Sequence, residues 1–316
     1  MSAAKRPAPR KPVAAPASRN TPQTVDAGWL LKALGVCVAA ALVCAWLTAC
    51  LLMYQGEWQT VLHPSPNVDR TPASLSLPYT DIAFGATATG QTRLTGWWIP
   101  ADSQNGLQPK HAAYTVLYLH GGSGSLADTL PALARLHRTG LNVFAFDYRG
   151  FGRSDPSQHP SSQRMTEDTA AALDYLTTTR HLAERNIVPY GTGLGGALAV
   201  SLAVAHPEFP ALVLENPVPN PAAVAAAAHP SRIVPVRMLF GDQFDVAKPL
   251  ANLATAKLLV SGGPGCPDPT CNLEAMETLF RRAASPRFAV SLPRGGGEAD
   301  FEQALGRFLD QQLSAP

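Results

Sequence analysis

The stretch Tyr190-Gly191-Thr192-Gly193-Leu194-Gly195-Gly196 decides the fold. The apolar run Asn186–Tyr190 before it reads as a strand, and Leu194–Ala205 after it reads as a helix. Glycines at alternate positions between a strand and a helix mark a turn too tight for side chains. The same residues fit the Gly-x-Gly-x-x-Gly turn of a dinucleotide-binding unit, and Glu215 ends the next strand about 20 residues on. Two features count against that reading. Pro189 interrupts the strand, and several strands precede the turn, whereas a dinucleotide domain opens with it.

Strands alternate with helices on either side. Thr80–Phe84 and Thr92–Ile99 read as a hairpin. Tyr114–Leu119, Asn142–Phe146, Ala211–Leu214, Lys257–Val260 and Phe288–Ser291 read as further strands. The intervening helices are Ser125–Arg138, Thr166–Thr178 with Glu167 and Asp168 in its first turn, Leu273–Ala284 and Glu298–Leu313. Strands that are apolar throughout and separated by helices predict an α/β fold, a mostly parallel sheet covered on both faces. Val218–Leu250, with the alanine run Ala222–Ala228, reads as a connection.

Four of the turns between these elements resemble those of the α/β-hydrolase family, in its membrane-anchored serine-hydrolase branch. They are His120-Gly121-Gly122, Asp147-Tyr148-Arg149-Gly150-Phe151-Gly152-Arg153-Ser154, the glycine turn at 190–196, and Glu215-Asn216-Pro217. The resemblance covers residues 76–314 and implies an α/β-hydrolase fold. It implies an oxyanion-hole-like set at Gly121, Gly122 and Leu194, with the glycine turn as the nucleophile elbow. It also implies a pocket near His120, Ser123, Tyr148, Thr192 and Asn216.

The residues that would carry the family's chemistry are missing. Gly193 stands where the serine nucleophile belongs. Gly265 stands at the position of the acid, with Asp268 three residues later. Gly297 or Glu298 stands at that of the histidine, and no histidine follows His229. Nucleophile, base and orienting acid work as a unit, so a chain lacking all three does not use this chemistry. The rescue candidates are Ser123, Ser154 and Ser261, with His120 or His229 as base. Asp147 and Arg149 read as a structural pair. The implied protein is a pseudohydrolase that binds a small acyl or peptide ligand or a protein partner; the alternative is an esterase or peptidase using other groups. No cofactor is implied, and no His, Cys and carboxylate spacing suggests a metal.

The N-terminal quarter is organised differently. Residues 1–27 form a Pro/Ala-rich tail, and before residue 33 the chain carries Lys5, Arg6, Arg10, Lys11, Arg19 and Lys32 against Asp26. The 22 residues Ala33–Tyr54 are uncharged, long enough for a bilayer span. The expectation is a signal anchor over 28–54, with the basic tail cytoplasmic, a linker at 55–75 and the domain at 76–316 outside. The rival is a lipidated Cys50 within Leu47-Thr48-Ala49-Cys50. In an oxidising compartment Cys266 and Cys271 are the pair for a disulfide, or else two free thiols. A net charge of +2 argues for no nucleic-acid partner.

Overall fold

The structure, a computed structural model, describes residues 26–55, 61–86, 93–102, 109–219, 244–263, 273–294 and 296–313. Gly265, Cys266, Asp268, Cys271 and His229 lie outside the described residues. The chain divides into two units, Met1–Ala49 and Cys50–Pro316. The first unit holds most of helix α1 (Ala27–Gln55), whose stretch Ala27–Leu52 is long and apolar enough to cross a membrane and is exposed along its length. At 1.5 Å per residue its 26 residues extend about 39 Å. Cys50 lies inside this helix, which continues to Gln55.

The second unit is built on an eight-stranded sheet. Its strands are β2 (Thr80–Gly85), β3 (Arg93–Ile99), β4 (Thr115–Leu119), β6 (Asn142–Asp147), β7 (Ile187–Thr192), β8 (Leu212–Glu215), β9 (Lys257–Gly263) and β10 (Arg287–Arg294). The order across the sheet is β10-β9-β8-β7-β4-β6-β3-β2. Every pairing from β10 to β6 is parallel, while β3 is antiparallel to both β6 and β2. Pairing of β7 with β8 starts at Tyr190, one residue past Pro189, so the proline sits where that ladder is not yet formed.

Helices cover both faces. Leu117, Leu119, Phe144 and Phe146 point to the face packed by α3 (Ser162–Asp174), α4 (Gly195–Ala205) and α6 (Leu273–Arg282). Val116, Tyr118, Val143 and Ala145 point to the face packed by α2 (Leu126–Arg138) and α7 (Glu298–Leu313). Burial on both sides of the strands accounts for their unbroken apolar runs. A further short helix, α5 (Ala247–Leu250), precedes β9.

Two local findings differ from the sequence reading. Helix α3 starts four residues early, because Ser161 caps it by accepting from the Arg164 N–H at 3.3 Å. Glu167 and Asp168 therefore lie in its second turn, and Asp168 is buried against Arg149 rather than placed at the helix end. Second, within the stretch expected as a linker, β1 (His63–Pro64) pairs in parallel with β5 (Ser123–Gly124), so this part of it belongs to the domain.

Candidate functional site

The site is assembled at the C-terminal ends of β4, β7, β8 and β9. Strand β7 ends at Thr192, Gly193 turns at φ +54°, and α4 begins at Gly195. The turn is this tight because backbone meets backbone: a Cβ on Gly191 would lie 2.4 Å from the Gly195 carbonyl oxygen, and one on Gly195 would lie 2.1 Å from that of Leu119. Both neighbours are main-chain atoms, one in helix α4 and one in strand β4, and cannot give way as a side chain can. Gly195→Ala is therefore expected to destabilise the chain by about 1–3 kcal/mol or more, measured as a lower midpoint of denaturant unfolding. Gly193 is different. Among the described residues, the nearest atom to a Cβ there would be the Gly121 Cα at 3.7 Å. Against these residues only the positive φ disfavours a side chain at the apex.

The Gly121 loop is fixed from beneath. Ser125 caps α2 in a reciprocal box with Asp128, and the Leu126 N–H donates to Asp147 Oδ1 at 2.9 Å. Leu194 packs on Gly122, where a Cβ would come within 2.6 Å of Leu194 Cδ1. Among the described residues, neither the Gly122 nor the Leu194 N–H donates to a protein acceptor.

Of the remaining residues assigned to a pocket, Tyr148, Thr192 and Asn216 face neighbours within the protein, and Ser123 is exposed. Tyr148 is fully buried and its hydroxyl donates to the His120 carbonyl at 3.2 Å. Thr192 lies beside the Tyr118 side chain on the α2 face. Asn216, at φ +45°, clasps one residue of β9: its Nδ2 donates to the Gly262 carbonyl at 2.9 Å and its Oδ1 accepts the Gly262 N–H at 2.8 Å. Ser123 is exposed in β5. Gly297 has φ +84°, and a Cβ there would lie 2.9 Å from Pro293 Cδ. Glu298 opens α7 and accepts from Arg138 Nη2 at 2.8 Å. Ser154 donates to the Asp147 carbonyl and Ser261 to that of Val290. Among the described residues no group of His, Cys, Asp and Glu could hold a metal. A cavity of about 380 Å³ lies along the antiparallel edge, lined by Asp81, Arg93, Thr95 and Arg153; none of its lining residues belongs to the elbow.

His120 and Asp147 form a buried pair under the loop. His120 Nδ1 lies 2.8 Å from the Gly121 carbonyl, and its Nε2 is unpartnered, 3.7 Å from Asp147 Oδ1. Burial pushes the His120 imidazole down to about 4 and the Asp147 carboxyl up to about 7. The raised carboxyl favours folding fully below its unfolded value of about 4 and loses that contribution as pH rises through 7. The depressed imidazole favours folding above about 6.5 and loses its contribution as pH falls through 4. Between these limits the two slopes oppose each other. Asp147→Asn should therefore lose stability steadily as pH falls from 6.5 towards 4, and His120→Gln should gain it over the same range. Thermal midpoints across that window check both signs; a flat profile in both variants would contradict the pair.

The pairing of Asp147 with Arg149 expected from sequence is not found: Asp147 faces His120, and Arg149 Nε donates to Asp168 Oδ1 at 2.6 Å. Sequence reading also missed a buried pair on the opposite face. Arg135 Nη2 contacts both Glu215 carboxylate oxygens, at 2.6 and 2.7 Å, and its guanidinium carbon lies 3.8 Å from the Phe301 ring centre. The Tyr190 hydroxyl donates to Glu215 Oε2 at 2.6 Å, and Tyr118 stacks on Tyr190. Glu215 also holds the elbow, since its carbonyl accepts the Gly193 N–H at 3.2 Å. Glu215 stood in a quoted turn, but nothing in sequence marks Arg135, 80 residues away, as its partner.

Comparison with known proteins agrees with this architecture. The serine aminopeptidase S33 family matches residues 110–259. An uncharacterised Mycobacterium tuberculosis protein is 32% identical over 279 residues, covering 88% of this chain and 92% of its own. The α/β-hydrolase domain-containing protein WAV2 of Arabidopsis thaliana is 33% identical over 148 residues, 46% of this chain and 45% of WAV2. Among solved structures, the Pyrococcus furiosus esterase Pf2001 superposes with a TM-score of 0.60 at 21% identity, covering 80% of this chain and 98% of the esterase. With the sheet order, the elbow and these relatives together, the chain belongs to the α/β-hydrolase superfamily.

Proposed function

We propose that this is a membrane-anchored α/β-hydrolase-like protein that binds a ligand through the loops around Gly193 without turning it over. The observation that carries the reading is a complete elbow with glycine at its apex: the close-packed glycines and the left-handed turn are present, and the attacking atom is absent. The N–H groups of Gly122 and Leu194 beside that apex, without an acceptor among the described residues, suit a carbonyl or carboxylate oxygen of an acyl or peptide ligand, or of a protein partner's chain. The serines at 154 and 261 support the reading, since their hydroxyls donate to main-chain carbonyls. The full-length chain, purified in detergent, should show no hydrolysis of a panel of esters and peptides above buffer; turnover that tracks the purified chain would overturn the proposal.

The anchor reading has its own test. Six basic residues precede the uncharged span, so the N-terminus should face the cytoplasm and the domain the other side. A reporter fused after Pro316 should be active only outside the cytoplasm. Cytoplasmic reporter activity would reverse the orientation.

A further inference from the structure

The residues just after α1 are stitched to the loop beside the elbow. Only positions 56–60 separate Gln55 from Val61. From there the His63 N–H donates to the Gly122 carbonyl at 2.7 Å, and the Ser65 N–H donates to that of Gly124 at 2.9 Å. The Asn67 carbonyl accepts from the Ser125 hydroxyl at 2.6 Å, and the Ser65 carbonyl accepts from the Gly152 N–H at 2.9 Å. Leu62 is 2% exposed and belongs to the same apolar cluster as Leu194, the residue after the apex. Leu62 and Leu194 close on Gly122 together: a Cβ there would lie 2.9 Å from Leu62 Cδ2 and 2.6 Å from Leu194 Cδ1.

Three of the five residues Gly121–Ser125 are glycines with no side chain to fix the backbone, so the loop's conformation depends on what binds its carbonyls. Here two of those carbonyls, Gly122 and Gly124, are held by residues 63 and 65. We propose that Leu62–Asn67 is a positioning strap that sets the Gly121–Ser125 loop and aims the Gly122 N–H. His63 acts through its main chain and Leu62 through packing. The proposal rests on the reading of this loop as ligand-facing only for its consequence: any ligand bound to the Gly122 N–H would tighten the strap, and a loosened strap would weaken that ligand, by the reciprocity of coupled sites.

Amide hydrogen exchange on the full-length chain in detergent tests the strap, and it needs no ligand. It therefore stands or falls apart from the ligand-binding reading. His63→Pro removes the N–H that donates to Gly122, whereas His63→Ala keeps it. His63→Pro should speed exchange in the peptide spanning 121–127 roughly tenfold, the change expected for loss of one main-chain hydrogen bond of typical net strength. His63→Ala should leave it at the wild-type rate, and the β7 peptide 187–192 should not change in either. Unchanged exchange at 121–127 in His63→Pro overturns the proposal. If His63→Pro loosens β7 as well, Leu62→Ala decides: faster exchange confined to 121–127 supports the strap, and none there overturns it.

Discussion

Full-length chain carrying Glu215→Leu should unfold roughly 10 °C below the unaltered protein. Arg135 is 2% exposed and Glu215 4%, so each charge is tolerated only because the other lies within 2.7 Å. Removing one partner leaves a buried charge uncompensated, a loss of about 3–5 kcal/mol. For a domain of this size about 1 kcal/mol shifts the midpoint by roughly 2–4 °C. Among the described residues Arg135 Nε and Nη1 have no hydrogen-bond partner, so the loss of Glu215 would leave the guanidinium with its contact to the Phe301 ring alone. Arg135→Met should cost a similar amount. The double variant Arg135→Met/Glu215→Leu should lie closer to the unaltered protein than either single variant, because it removes both charges and keeps apolar volume. Thermal unfolding of the three variants checks this. Additive losses in the double variant would show that the two side chains do not act as a pair.

Gly193→Ser alone should fold and show no more than the residual hydrolysis of a site without a triad. Among the described residues there is room for the side chain, since the nearest atom to a Cβ is 3.7 Å away. Its cost is the left-handed backbone, about 1–2 kcal/mol. The new hydroxyl would stand beside the N–H groups of Gly122 and Leu194, each able to stabilise an oxyanion by roughly 3–4 kcal/mol. It would have no base, since no histidine follows His229 in the chain. Restoring one is harder than the sequence suggested. Gly297→His would add a Cβ 2.9 Å from Pro293 Cδ at φ +84°, so Glu298, whose carboxylate faces Arg138, is the sterically easier position. Binding and oxyanion stabilisation without a working triad leave roughly 10³–10⁴-fold acceleration over water. Ester hydrolysis by Gly193→Ser well above that ceiling would mean that a base exists.

The parallel sheet and the elbow were legible because each has a local cause. Strands buried on both faces read as apolar runs, and a Cβ on Gly195 or Gly191 would lie 2.1 or 2.4 Å from a main-chain oxygen, which leaves room only for glycine. Long-range partners were not legible. The Arg135–Glu215 pair joins residues 80 apart, and residues 63–65 meet 122–124 across a separation that no periodicity encodes. Side-chain direction was also hidden. Asn216 and Thr192 lie next to the elbow in sequence, yet Asn216 is committed to Gly262 and Thr192 lies beside Tyr118. The π-helical turn Tyr175–Thr179 after α3 had no signal in the residues at all.

The central claim is that no activated nucleophile stands at the elbow or near it. Its most direct measurement is reaction of the detergent-solubilised full-length chain with a fluorophosphonate probe, read as intact mass. Such probes form a stable adduct only with an activated serine, and the elbow carries Gly193. The account predicts an unchanged mass under conditions that fully label an active serine hydrolase; stoichiometric addition at any serine of this chain would contradict it.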